Sequence, residues 1–244
     1  MYIISQIYQT ILDALFPVSA AERELFSLQP EEAWEKLPRA PGYAGLAVPL
    51  QNTRSLFAYK DERVAKLIWH IKYKKSKLAV HIGAYALMRF FQEQTTHNDA
   101  RKIIIVPIPI TRKRRRERGY NQCELLTDEM KRLYTKSIQQ RTAHASASLF
   151  EFEHNLLIRT HHAARQTLKD RADRIESAKG IFGVNMEVAS QWLPLDSGAN
   201  SAASAHHRIF IIDDVITTGS TMFEAIDTLK KAGFMNVSGL SIAH

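Results

Sequence analysis

Arg208-Ile-Phe-Ile-Ile-Asp213-Asp214-Val215-Ile-Thr217-Thr218-Gly219-Ser220-Thr221 joins a short apolar run to two acids and a hydroxyl-rich turn. Ile209 to Ile212 are four apolar residues bounded by polar ones, the pattern of a strand buried on both faces of a parallel sheet. Asp213 and Asp214 then fall at the strand's carboxyl end, where open α/β sheets bind ligands. Met222, Ala225, Ile226 and Leu229 follow at helical spacing until Gly233 stops them. Thr221 and Glu224 have capping-box spacing, which predicts a helix start at Thr221.

The chemistry follows from that placement. A Thr-Thr-Gly-Ser-Thr turn feeding a helix N-terminus offers amide and hydroxyl donors and the positive end of a dipole, which suits a phosphate. Gly219 permits close backbone approach or positive φ. The two acids have the wrong charge for phosphate. They suit a pair of ribose hydroxyls, with Mg2+ nearby bridging other oxygens. Together the halves describe a phosphorylated ribose; the competing reading is a capped strand–helix turn with solvated acids. No Gly-Lys pair follows, so this is not a Walker loop.

The stretch from Asp213 to Thr221 resembles the phosphoribosyl pyrophosphate (PRPP) signature of type I phosphoribosyltransferases. The resemblance implies that α/β fold: a mostly parallel twisted sheet flanked by helices. It implies that Asp213 and Asp214 hold the ribose hydroxyls as catalytic residues. Val215, Thr217, Thr218, Gly219, Ser220 and Thr221 complete the PRPP-binding segment, the loop taking the 5′-phosphate, and Mg2+ accompanies PRPP.

Length and charge bound the rest. A chain of 244 residues can bury a full core, and one α/β domain over 56–244 with a helical appendage over 1–55 is the expected organisation. A net charge of +8 and a pI of about 9.6 favour nucleotides, nucleic acid or an acidic surface without choosing among them. The single cysteine, Cys123, excludes an internal disulfide and a cysteine-built zinc site, and suggests a reducing compartment. No apolar run approaches the roughly 20 residues that cross a bilayer. The N-terminus has no basic region and carries Asp13 within its apolar stretch, unlike a signal peptide. Cytoplasmic location is the expectation.

In chain order, Ile3, Ile4, Ile7, Ile11, Leu12, Leu15 and Phe16 share one helical stripe ended by Pro17. Its polar face lacks Lys and Arg, so it is expected to pack on its own domain or on a second copy in a homodimer. Residues 18–55 read as short helices near 22–28 and 30–37 and a break at Pro38–Gly42, a small and loosely built appendage. Val64, Leu67, Ile68 and Ile71 then form a helix face, followed by Lys72, Tyr73, Lys74, Lys75 and Lys77. Those lysines either bind an anion or merely complement the helix dipole. A second helix is expected over 78–92.

Ile103 to Val106 reads as the first core strand, stopped by Pro107-Ile-Pro109. The most basic stretch, from Arg112 to Arg118, leaves its carboxyl end. Three readings stand: a pyrophosphate clamp of Pro109, Arg112 and Arg118; a nucleic-acid path over Arg114, Arg115 and Arg116 with Tyr120 stacking on a base, extended by Lys72 and Lys74; or a solvated charge run. A helix (125–134), a strand (156–158), a helix with Ala164, Leu168, Ala172 and Ile175 inward, and a strand (180–184) follow. The pairs His161-His162 and His206-His207 read as solvent-exposed side chains rather than metal ligands. Residues 197–204 have linker composition, and 235–243 close the sheet.

Pro107-Ile-Pro109, Arg118-Gly-Tyr-Asn-Gln122, Arg159-Thr160, Gln166, Arg171, Phe182 and the PRPP loop resemble, in order and spacing, the ComF family of competence proteins. Leu12-Asp-Ala-Leu15-Phe16-Pro17 is similar to that family's start. The usual member continues into a four-cysteine zinc finger, whereas Ser19, Ala20 and their neighbours stand here, so no zinc is expected. The resemblance implies a PRPP-binding protein of natural transformation that handles incoming single-stranded DNA with other DNA-uptake proteins. A phosphoribosyltransferase acting on a nucleobase or other acceptor, and a PRPP-sensing regulator, are the alternatives. No aromatic-plus-amide set that would read a base edge stands out in 18–55.

Overall fold

The computed structural model describes residues 18–43, 50, 52–94, 101–140, 149–160, 180–193 and 207–244. The stripe of residues 2–16, His161, His162, His206, Gln166, Arg171, the helix expected near Ala164–Ile175 and the linker 197–204 lie outside the described residues.

The described elements run α1 (Ala20–Ser27), α2 (Pro30–Lys36), β1 (Thr53–Phe57), α3 (Glu62–Trp69), a π-helical turn (His70–Lys74), α4 (Lys77–Gln94), β2 (Lys102–Pro107), α5 (Arg112–Arg118), α6 (Gln122–Gln140), β3 (Phe150–Phe152), β4 (Leu157–Arg159), β5 (Phe182–Val184), α7 (Met186–Ala189), β6 (His207–Val215), α8 (Ser220–Lys231) and β7 (Val237–Ala243). Five strands make a parallel sheet in the order β1-β7-β6-β2-β3. β4 and β5 form a separate antiparallel pair. The α/β architecture, a mostly parallel sheet flanked by helices, is the one expected from the phosphoribosyltransferase-like motif.

The apolar runs make the sheet because they serve two cores at once. Phe210 and Ile212 of β6 join Ile103 and Ile105 of β2 in one cluster, with Leu87 and Phe91 of α4. Ile209 and Ile211 join Ile104 and Val106 in the other, with Met222, Ala225 and Leu229 of α8. Successive side chains point to opposite faces, so a strand between two helix layers has to be apolar throughout.

Two expectations are corrected. Ile103–Val106 is not the first core strand, because β1 precedes it as an edge strand and Thr53 pairs with Gly239. Thr-Arg-Ser-Leu-Phe carries its apolar residues only at the end, so no run betrays it. β7, the last strand of the chain, lies between β1 and β6. Nor is the region 20–37 loosely built. Leu25, Ala33, Trp34 and Leu37 are buried in the same cluster as Leu67 and Phe91, and Glu22 pairs with His70 at 2.8 Å and Lys66 at 3.3 Å.

Gly239 lets α8 approach β7 closely. A Cβ on Gly239 would stand 2.6 Å from Met222 Sδ and 2.9 Å from Thr53 Oγ1. Gly239→Ala is therefore expected to cost about 1–3 kcal/mol by overpacking. Urea unfolding checks this; an unchanged midpoint would show that Met222 moves aside without cost.

Candidate functional site

β6 brings Asp213 and Asp214 to the carboxyl edge of the sheet, Asp213 opposite Ser241 of β7. Both acids are buried, Asp214 to 2 % exposure. Asp213 Oδ1 accepts the Asp214 N–H at 2.8 Å and lies 3.6 Å from the Cys123 thiol. Asp214 Oδ1 accepts the Val215 N–H at 2.9 Å. Asp214 Oδ2 faces Lys72 Nζ at 3.3 Å but receives no aligned hydrogen bond. Burial first, and the Asp214 carboxylate second, push the Asp213 carboxyl up to about 7, while Lys72 opposes the rise. Burial, then Asp213 and Asp214, push the Cys123 thiol well up. Cys123 is thus a buried thiol lining the site, its thiolate disfavoured by burial and by the two acids.

The loop beyond the acids ends in Gly219, whose φ of 81° is left-handed. Gly219 is the N-cap, and α8 begins at Ser220, one residue before the expected start. The expected capping box does not form. Glu224 is buried and instead accepts the N–H of Gly180 across the sheet face. No side chain caps α8, so its first-turn amides keep their donors for a ligand. Thr218 Oγ1 and Ser220 Oγ share a hydrogen bond at 3.1 Å, and Thr217 and Thr221 are exposed.

The basic stretch is a short helix, α5, N-capped by Thr111 Oγ1 and ended at Gly119 with φ 78°. Its two proposed clamp arginines do not converge. Arg118 donates to Gln122 Oε1 at 2.9 Å and lies 5.1 Å over the Tyr73 ring. Arg112 and Arg115 instead line a cleft of about 370 Å3 with Pro109, Thr111, His154 and Arg159. Arg114 and Arg116 are exposed, and Arg115 pairs with Glu124. Asn121 is buried, donating to Ile108 O at 3.0 Å and accepting the Cys123 N–H at 3.0 Å. That turn pins Cys123 beneath the acids.

Arg159 belongs to the site although the sequence motif gave it no role. Its Nη1 donates to Pro109 O at 3.3 Å. Burial lowers its pKa, Arg114 adds to that, and Asp213 opposes it. The available signal was an arginine directly after a short apolar run. Two nucleic-acid candidates turn out to be inward. Tyr120 donates its hydroxyl to Ile71 O at 3.1 Å and accepts the Lys75 N–H at 3.2 Å, bracing the π turn. Lys72 faces Asp214. Lys74 points outward, 5.2 Å from the exposed Trp69 ring. Trp69 and the exposed Tyr73 stand 6.2 Å apart between centroids. Aromatics four apart, with one lysine between them and two directly after, were the overlooked signal. His207 sits on β6 with its ring 5.5 Å from Trp192, half-buried rather than solvent-exposed.

Cys123, Asp213 and Asp214 offer ligand atoms within 4.8 Å of one another. Mg2+ wants a near-octahedral set of hard oxygens at roughly 2.0–2.1 Å. Here a thiol fills one side and the Lys72 ammonium stands 3.3 Å from Asp214 Oδ2. The residues present do not fit a protein-built Mg2+ cage; they leave Asp214 Oδ2 as a buried acceptor without an aligned donor. No described helix is long and apolar enough to cross a membrane.

A folded pKa raised above its unfolded value means that the native state holds more protons between the two, so stability falls as pH rises through that window. For Asp213 the window runs from the model-peptide region near 4 up to about 7. Asp213→Asn is expected to remove that decline. Melting temperatures measured from pH 4 to 8 check it; parallel curves for the two proteins would contradict the buried-acid assignment.

No protein-family model matches the chain. It is 27% identical over 140 residues to Competence protein F of Haemophilus influenzae, a match covering 57% of this chain and 49% of that protein. The chain thus aligns with about half the length of that curated relative. The similarity supports a relationship to the ComF-like competence proteins.

Proposed function

We propose that this protein binds PRPP at the carboxyl ends of β6 and β2 and serves natural transformation by handling incoming single-stranded DNA. The observation that carries the first half is the buried Asp213–Asp214 pair followed by a left-handed Gly219 and an uncapped helix start. In this reading Asp214 Oδ2 accepts from a ribose hydroxyl and Asp213 holds its neighbour. The amides after Gly219 and the hydroxyls of Thr217, Thr218, Ser220 and Thr221 hold the 5′-phosphate. Arg112 and Arg159, from two sides of the Pro109 cleft, supply positive charge for the diphosphate. Mg2+ comes with PRPP, on the ligand's own phosphate oxygens.

The similarity to a competence protein supports the second half. So does the outer face of the π turn, where Lys66 and Lys74 lie 5.9 and 5.2 Å from the Trp69 ring and Arg118 lies over Tyr73. Exposed rings among cations are what a single strand uses, bases stacking and phosphates pairing. Arg114 and Arg116 extend the positive surface from Arg118.

The cleft between Pro109 and Arg159 favours one further reading. Its 370 Å3 is lined by apolar Leu157 and Ile158 as well as arginines, which offers room for an acceptor. Transfer of ribose 5-phosphate to that acceptor would release pyrophosphate. An assay for pyrophosphate with a panel of bases separates the readings: release with one base makes the protein a transferase, and binding without release leaves it a binding module.

Asp214→Asn is expected to weaken PRPP roughly ten- to a hundredfold, the worth of a hydrogen bond to a charged group. Calorimetry on the folded variant checks this, and unchanged affinity would remove Asp214 from the ribose site. Changing Arg114, Arg115 and Arg116 together to Gln is expected to flatten the salt dependence of oligo(dT) binding. An unaltered slope would move the strand to another face.

A further inference from the structure

Lys72 is the residue whose position is least explained by a nucleic-acid role. Its side chain is 19% exposed, and its ammonium sits 3.3 Å from an Asp214 carboxylate that is itself 3% exposed. A π turn delivers it there. α3 widens into His70–Lys74 and stops at Lys75 in the left-handed region, φ 48°. Tyr120 ties both ends of that turn, through Ile71 O and the Lys75 N–H. Single π turns inside helices recur at functional sites, because the extra residue redirects side chains.

We propose that Lys72 is a ligand-contacting residue of the phosphoribosyl site, its ammonium serving as the fixed cation of the acid pair and reading the ribose diol together with Asp214. This rests on the phosphoribosyl reading above. Asp214 Oδ2 is a buried acceptor with no aligned donor, and a ribose O–H supplies one. The Lys72 ammonium has three N–H donors. One faces Asp214, and the others are available to an oxygen of the same diol. A phosphorylated ligand approaching two buried acids meets repulsion, and one ammonium beside them cancels much of it. The thiol and the ammonium make the pair a poor Mg2+ cage, so the diol is read by a protein cation.

The consequence is that the ribose end binds without Mg2+. Ribose 5-phosphate lacks the diphosphate and is the probe. Calorimetry with EDTA present is expected to give the same affinity for the wild type as with Mg2+, and weaker binding of 2-deoxyribose 5-phosphate. Lys72→Met is expected to lose roughly tenfold or more for ribose 5-phosphate, Lys72→Arg to lose less, and inorganic phosphate to bind both variants as it binds the wild type. A purely structural lysine would not split the two ligands in this way. Lys72→Met that binds ribose 5-phosphate like the wild type overturns the inference alone, as does wild-type binding that requires Mg2+ or ignores the 2-hydroxyl. Failure of the wild type to bind ribose 5-phosphate or PRPP overturns the phosphoribosyl reading and this inference with it. Should Lys72→Met not fold, the wild-type arms decide.

Discussion

Two carboxylates buried side by side at the end of β6 are the constraint around which the site is arranged. Removing adjacent acids from water is costly unless something offsets their charge. Three devices do so here. Backbone N–H groups of Asp214 and Val215 each donate to a carboxylate oxygen. The Lys72 ammonium faces the remaining Asp214 oxygen. Asp213 has its carboxyl pushed toward neutrality by burial and by its neighbour. The first and third act within β6 and the second comes from the π turn, so these two elements are fixed together.

The surroundings read as support for that arrangement. Asn121 locks the turn that sets Cys123 against Asp213, and Tyr120 braces the turn that carries Lys72. Glu224 spans to Gly180 and joins α8 to the β4–β5 pair. The residues nearest the chemistry are thus held by buried polar contacts, while the arginines of α5 remain open to solvent. A buried polar centre with an exposed cationic rim is the arrangement that steers an anion by its charge.

Much of this was legible in the sequence where the signal is local. The run Ile209–Ile212, the two acids and the glycine turn specify a buried parallel strand, a polar end and a tight turn into a helix, and the structure has each. Signals that depend on a partner element were not legible. Thr53–Phe57 is a strand only because β7 offers an edge to pair with. Thr221 and Glu224 have capping-box spacing, but Gly180 competes successfully for Glu224, and the cap passes to Gly219. Lys72 and Tyr120 lie in basic, aromatic-bearing segments that suggest an exterior role. A π turn, invisible to a 3.6-residue period, turns Lys72 inward. Arg112 and Arg118 bracket one run, but helical rotation over that run sends them to different neighbours.

A phosphoribosyl site at the end of β6 is tested by titrating the purified wild-type protein with PRPP by calorimetry, with ribose 5-phosphate as the competitor. Saturable binding at one site per chain, displaced by ribose 5-phosphate, is the expected result. Absence of binding up to millimolar PRPP, or binding that ribose 5-phosphate does not displace, would contradict it.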